Sequence, residues 1–388
     1  MSTVYLDNAA TTAVDPRVVE AMLGCLGADG AFANPAAVAH EPGRRAQRRI
    51  EQARAEVAAL VGADPAQIVW TSGATEADNL AVLGAARFYR AKGRHLVTSR
   101  TEHPAVLEPC RQLEREGFDV TYLKPVADGI VEPWQVEAAL RPDTILVSLM
   151  HVNNEIGVVQ DVGAVGRLCR ERGILFHVDA AQSAGKLTID VERDCIDLLA
   201  LTAHKLHGPK GVGALTVRRE PRLGLVPLLH GGGQERGLRP GTLPTHQVVG
   251  MGAACRIAAD ERVEESARIT ALRELLWQGL SGLPGLMLNG HPTRRAPGIL
   301  SVTIDGVEGE SLLYALPELA VASGSACATT SAEPSYVLRA LGRSDRLALS
   351  SLRLSLGRYT TGTDVDLAAR SIRRAVERLR ALAPRSDG

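Results

Sequence analysis

The 388-residue chain carries no excess of either charge, since 44 basic residues balance 44 acidic ones. That balance argues against a strong electrostatic grip on nucleic acid or on an anionic membrane. No apolar run approaches the roughly 20 residues that a membrane-spanning helix needs. The N-terminal MSTVYLDNAATT lacks a basic stretch followed by an apolar one, so nothing marks it for export. The six cysteines (Cys25, Cys110, Cys169, Cys195, Cys255 and Cys327) are scattered without a CxxC pair. Neither a zinc site nor a disulfide framework is signalled. Most of them are expected to act as small buried hydrophobes. Internal repeats and low-complexity segments are also missing. The expectation is a cytoplasmic protein without a metal and without a direct nucleic-acid or membrane partner.

What is present is a chain able to bury a core, with 45% hydrophobic residues and a length that suggests two domains. Short apolar, β-rich runs recur at 68–70, 95–98, 120–123, 145–150, 174–178, 198–201 and 212–217. Helical patterns such as 76–92 and 162–172 lie between several of them. Strand alternating with helix predicts an α/β fold with a mostly parallel seven-stranded sheet covered on both faces. After Gly252 the texture changes to a charged helical stretch at 261–280, strand-like runs at 299–304 and 351–355, and a basic closing helix at 364–382. The expected division is a large domain over 14–256 and a smaller α+β domain made of 1–13 and 257–388.

The residues that follow the strands carry the chemistry, because ligands of open α/β sheets bind at the carboxyl ends of strands. These are Thr71-Ser72-Gly73-Ala74-Thr75-Glu76, then Thr101-Glu102-His103, then His151-Val152-Asn153-Asn154-Glu155. Asp179 with Gln182 follows, and then Thr202-Ala203-His204-Lys205. Singly, each has a plain explanation: a helix cap, a satisfied histidine, a solvated lysine. Their shared place at strand ends shifts the balance. Pyridoxal 5'-phosphate needs parts of these kinds: a lysine amine for its aldehyde, a carboxylate for its ring nitrogen and a cover for its ring face. Its phosphate needs a helix N-terminus with hydroxyls nearby.

The segments YLDNAATT (5–12), TSGATEADNLA (71–81), TEHPAVL (101–107), HVNNEIGVVQ (151–160), HVDAAQSAGK (177–186), AHKLHGPKGVGAL (203–215), HGGGQERGLRPGT (230–242) and SGSACATTSAEPSYVLRALG (323–342) resemble the cysteine desulfurases of the IscS/NifS type. The likeness covers essentially the whole chain and points to the first desulfurase group of the class-V aminotransferase family. It implies pyridoxal-phosphate fold type I. It also implies that Lys205 holds the cofactor, Asp179 pairs with its ring nitrogen, and Gln182 bonds its phenolic oxygen. His103 would cover the ring and move protons. Gly73, Ala74, Thr75, Thr202 and His204 would hold the phosphate, with Thr242 reaching it from the second subunit of a homodimer. Asn154 and Arg353 would hold the substrate, the arginine as a fork for its carboxylate.

The same resemblance gives Cys327, in a loop over about 322–334, the role of nucleophile. The loop Ser323-Gly324-Ser325-Ala326-Cys327-Ala328-Thr329-Thr330 has little side-chain bulk, which favours a mobile thiol over a buried structural one. The implied reaction turns L-cysteine into L-alanine and leaves the sulfur on Cys327 as a persulfide. A thiol is mostly protonated near neutrality, and either His103 or the substrate's own protonation state would help it ionise. The sulfur would go to an acceptor protein of iron–sulfur assembly, tRNA thiolation, thiocofactor synthesis or DNA phosphorothioation; no residue decides among these.

Three positions depart from the family pattern: Pro240 where serine is usual, His207 where tyrosine is common, and Ala328 where a hydroxyl residue often follows the cysteine. They are expected to tune the site without abolishing it. The chain's close at Ala383–Gly388 is expected to weaken docking of a cluster scaffold. Selenocysteine lyases and aminotransferases of the same fold would share Lys205 and Asp179 without needing Cys327. A non-catalytic partner or scaffold protein would have lost a site residue, and the set is complete.

Overall fold

A computed structural model describes residues 3–323 and 333–382. The chain opens with strand β1 (Val4–Tyr5) and helices α1 (Pro16–Leu23) and α2 (Glu41–Leu60). Alternation then sets in with β2 (Ile68–Thr71), α3 (Ala74–Tyr89), β3 (His95–Ser99), α4 (Pro104–Arg115) and β4 (Asp119–Leu123). It continues through α5 (Pro133–Ala139), β5 (Thr144–Ser148), α6 (Val162–Glu171), β6 (Leu175–Asp179), β7 (Leu198–Thr202) and β8 (Gly213–Val217). The long helix α7 (Thr245–Leu280) follows, then β9 (Leu286–Leu288), β10 (Ile299–Ile304) and α8 (Gly309–Tyr314). The rest is β11 (Leu319–Ala320), β12 (Ala322–Ser323), α9 (Tyr336–Ala340), α10 (Asp345–Leu349), β13 (Ser351–Ser355) and α11 (Gly362–Leu382).

The seven-stranded sheet has the order β2-β8-β7-β6-β5-β3-β4. Its strands from β7 to β4 pair parallel, and β8 runs antiparallel to both neighbours. β5 and β7 are buried along their whole length, as expected of near-continuous apolar runs covered on both faces. The seven runs read from the sequence fall on these seven strands.

A second sheet, β12-β13-β10-β9, is antiparallel. Its core joins Leu300, Val302, Leu352 and Leu354 to Ile372 and Val376 of α11. Helix α7 serves both sheets. Val248, Met251, Ala254 and Ala258 lie in the larger core, whereas Ile269, Leu272, Leu276 and Leu280 lie in the smaller. The expected division at 256/257 therefore falls inside one continuous helix. Its allegiance passes from one core to the other between Ala258 and Ile269. Among the described residues, no helix is long and apolar enough to cross a membrane.

Candidate active site

The carboxyl ends of the parallel strands open on a cleft of about 560 Å³. β6 delivers Asp179 as its last residue, 6% exposed, with Oδ1 accepting from the Ala181 N–H at 2.8 Å. The adjacent β7 delivers Thr202, and a single 3₁₀ turn over Ala203–Lys205 then presents His204 and Lys205. Parallel pairing of β6 and β7, with Asp179 opposite Ala200, fixes the two strand ends side by side. An amine and a carboxylate thus line one cleft through backbone register.

The turn after β2 leads through Gly73 into α3, and Gly73, Ala74 and Thr75 line the same cleft. The first N–H groups of a helix lack intrahelical partners and favour an anion. A Cβ at Gly73 would lie 3.8 Å from Thr202 Oγ1, so the Thr202 hydroxyl stands beside this turn. Glu76, one residue further on, accepts from the Ser72 N–H at 2.7 Å and from Arg239 Nε at 3.0 Å. Burial acts to raise its pKa, but these bonds outweigh burial and hold the carboxyl below its ordinary range.

His103 caps α4: its Nδ1 accepts from the Ala105 N–H at 3.1 Å. An acceptor Nδ1 leaves the proton of the neutral ring on Nε2. Burial, and then the charge of Lys205, lower the His103 pKa and favour that neutral form. His204 is pushed down to about 4 by burial and by Lys205, Lys210 and Lys186. Its Nδ1 lies 3.1 Å from Thr11 Oγ1, and its carbonyl accepts from both the N–H and the hydroxyl of Thr12 at 2.9 Å. The YLDNAATT segment is therefore a strap across the Lys205 turn.

Beneath Asp179 lie two further acids, Asp78 and Glu102. Burial first, and then the Asp179 charge among their neighbours, drives both well above the ordinary carboxylate range. That direction works against further negative charge beside Asp179. His177 Nε2 lies 3.3 Å from Asp78 Oδ1. Burial pushes His177 down to about 3, so the ring is neutral and the contact is not an ion pair.

On the opposite wall Arg353 comes from β13 of the smaller sheet. Its Nη1 donates to the Asn154 carbonyl at 3.0 Å and its Nη2 to Asp7 Oδ1 at 2.8 Å. Arg353 Nε and Asn154 Oδ1 are buried without a hydrogen-bond partner. Orphaned buried polar atoms at the edge of a cleft are places for a ligand. The fork of Arg353 suits a carboxylate, and Asn154 Oδ1 suits an ammonium or amine.

Several expected residues do not themselves form the cleft wall. Gln182 is buried, with Nε2 donating to the Ala9 carbonyl at 2.8 Å and Oε1 accepting from Lys186 Nζ at 3.4 Å. It is not among the cleft-lining residues. Thr242 is exposed and does not line this chain's own cleft. His207 faces away, its ring against Tyr359 at 5.5 Å and its Nδ1 2.9 Å from the Ala13 carbonyl. Pro240 lies beside Gly231. Cys327 and Ala328 lie outside the described residues. Sequence reasoning missed Asp7, Asp78 and Lys210. The one available signal was Asp78 itself, a charge set between Ala77 and Leu80 on an otherwise apolar helix face.

The donor set fits pyridoxal 5'-phosphate. An amine and a carboxylate share the cleft, a helix N-terminus flanked by a hydroxyl offers an anion cradle, and lysines surround His204. Comparisons agree with that chemistry. The family model described as aminotransferase class-V matches residues 4–367. A cysteine desulfurase IscS of Pectobacterium atrosepticum is 58% identical over 381 residues, covering 98% of this chain and 94% of the relative. A solved structure titled NifS-like protein superposes with a TM-score of 0.90 at 36% identity, covering 97% of this chain and 100% of that one. Another, titled SspA in complex with cysteine, gives 0.82 at 41% identity, covering 92% and 100%.

Proposed function

This chain belongs to the class-V aminotransferase family and is a pyridoxal-phosphate-dependent cysteine desulfurase; from that premise we propose the part each residue plays. When bound, the cofactor supplies an electron sink that stabilises negative charge next to the reacting carbon. Lys205 would hold it, and the Lys205 amine would carry the proton taken from the α-carbon of L-cysteine. Asp179 keeps the ring nitrogen protonated. Gln182 retains one amide N–H beyond the one given to Ala9, and that hydrogen serves the phenolic oxygen. Gly73, Ala74, Thr75, Thr202 and His204 hold the phosphate. His103 would cover the ring and would donate from Nε2, because Nδ1 is committed to the helix cap. Arg353 and Asn154 orient the amino acid.

Cys327 is the sulfur acceptor in this reading. Among the described residues no cysteine lines the cleft. Burial pushes the Cys110 and Cys169 thiols up to about 12, which makes them poor nucleophiles. In the transfer step the Cys327 thiolate forms a bond to the substrate sulfur while the carbon–sulfur bond breaks. The electron pair goes to the carbon, which gains a proton and becomes the alanine methyl. L-Cysteine and one thiol thus yield L-alanine and one persulfide, with no external oxidant.

The observation that carries the assignment is the convergence of Lys205, Asp179, His103, Asn154 and Arg353 on one cleft. Purified enzyme given L-cysteine is expected to release alanine and carry one persulfide per chain, and Cys327→Ala to lose both while keeping its yellow absorbance. Lys205→Ala should lose that absorbance. Retained persulfide formation in Cys327→Ala would overturn the acceptor, and an unchanged spectrum in Lys205→Ala would overturn the lysine. We also propose a homodimer in which Thr242 completes the partner's phosphate site. Its exposure, together with exposed Leu26, Phe32 and Val38, supports that reading, and sedimentation as a monomer would contradict it. The acceptor protein is best identified by capturing proteins that take up the persulfide sulfur.

A further inference from the structure

The stretch 324–332, which contains Cys327, is entered and left by residues tied to the substrate wall of the cleft. On the entering side, β12 pairs with β13 so that Ala322 stands opposite Arg353. On the leaving side, Ser335 Oγ donates to Glu155 Oε2 at 2.5 Å and accepts from the Leu338 N–H at 3.2 Å, capping α9. The next residue, Tyr336, donates from its hydroxyl to the Glu102 carbonyl at 2.7 Å. Ser335 and Glu155 are both buried, at 4% and 6% exposure, and are 180 positions apart in the chain.

Glu155 is itself firmly held. Asn153 Oδ1 accepts from the N–H groups of Glu155 at 2.9 Å and Ile156 at 3.0 Å. Asn153 Nδ2 donates to the Thr101 carbonyl at 2.9 Å. Ile156 and Val158 pack on Val337 and Leu338 of α9, so the polar link sits inside an apolar joint. The chemistry above gives Glu155 no part, and it is not among the cleft-lining residues. Burying a carboxyl without a catalytic duty is costly. Burial pushes this one up to about 7, partly opposed by the Ser335 bond and by Arg353.

We propose that Glu155 is a positioning residue for the sulfur-transfer step, acting through Ser335 to fix where the chain leaves the Cys327 segment relative to the loop that carries Asn154. The inference rests on Cys327 being the sulfur acceptor. Its physical basis is that reacting atoms must meet at about 3–3.5 Å, so the fixed end of the Cys327 segment bounds where its thiol can reach. A short hydrogen bond between two buried groups defines an anchor more sharply than apolar contact, because apolar contact has no preferred direction.

The test uses the full-length holoenzyme with Ser335→Ala, Ser335→Thr and Glu155→Gln, beside Cys327→Ala. Ser335→Ala is expected to lower kcat for alanine release by about tenfold or more, with KM within about twofold and an unchanged cofactor spectrum. Its Cys327 should also react with iodoacetamide, located by mass spectrometry, at a rate shifted several-fold from the parent. Ser335→Thr, which keeps the hydroxyl, should recover most of kcat. If Glu155→Gln folds poorly, the Ser335 pair decides alone. A kcat within about twofold of the parent in Ser335→Ala, or a rise in KM that accounts for the whole defect, overturns the proposal. Should Cys327→Ala abolish transfer while Ser335→Ala is silent, only the positioning role fails. Should Cys327→Ala keep full transfer, the acceptor assignment fails and this inference falls with it.

Discussion

Arg353 Nη1 donates to the carbonyl oxygen of Asn154 at 3.0 Å, and this one bond ties a strand of the smaller sheet to a strand-end loop of the larger across the cleft. The same guanidinium reaches Asp7 and keeps Nε unpartnered. Arg353→Lys would replace a planar fork with a point charge that cannot serve Asn154, Asp7 and a substrate carboxylate together. The expected result is a rise in KM for L-cysteine of about tenfold or more, with the cofactor absorbance kept. Steady-state kinetics beside a spectrum of the resting enzyme checks it.

Gly213 is placed by close backbone approach. A Cβ there would lie 2.4 Å from the Leu201 carbonyl oxygen and 2.7 Å from the Gly73 backbone. Gly213→Ala must push the Gly73 turn away from β8, and that turn opens the helix proposed to hold the phosphate. We expect the variant to fold and to lose cofactor on dialysis faster than the parent. Absorbance against time in cofactor-free buffer measures this.

Arg54 and Glu235 form a buried two-pronged pair, with Nη1 to Oε2 at 2.9 Å and Nη2 to Oε1 at 2.8 Å. Glu235 Oε2 also accepts from the Trp70 N–H at 2.9 Å. Arg54→Met would strand a buried carboxylate, and breaking one partner of such a pair costs roughly 3–5 kcal/mol. The double variant Arg54→Met, Glu235→Gln should recover part of that loss. Urea midpoints of the parent, the single and the double variant report the order.

Stability should carry a signature of Glu155. Its folded pKa of about 7 lies above its ordinary value of 4.5, chiefly through burial. The folded state therefore binds the extra proton, and the contribution is fully present below pH 4.5 and lost as pH rises through 7. The span corresponds to something on the order of 3 kcal/mol. Glu155→Gln cannot titrate, so its stability relative to the parent should climb between about pH 5 and pH 7 and stay level above pH 8. A difference that is flat across that range would show that the carboxyl titrates normally.

The seven strands of the larger sheet were legible because each is a short β-rich run closed by polar residues, and the strand ends then announced the cleft. The first half of α7 was not. Val248, Val249, Gly250, Met251, Gly252, Ala253 and Ala254 are all buried, so no polar face alternates with an apolar one and the helical period vanishes. The charged half, from Glu261 onward, was readable for the opposite reason. Within the site, Lys205 and Asp179 follow strands and could be found by position. The partnerships of Arg353 with Asp7 and of Glu155 with Ser335 join residues far apart in the chain. Nothing local marks them. Thr242 was placed with a second copy through family likeness alone, since a residue that serves another molecule leaves no trace in its own neighbourhood.

Helix α7 runs for 36 residues, about 54 Å at the usual rise per residue, with one half gripped by each core. A tilt of the smaller sheet, which carries Arg353 and the strand that enters the Cys327 segment, would be passed along that rod to α1 and α2, against which its other half is packed. The two cores therefore share one stiff element, and a substitution at either end of it loads both.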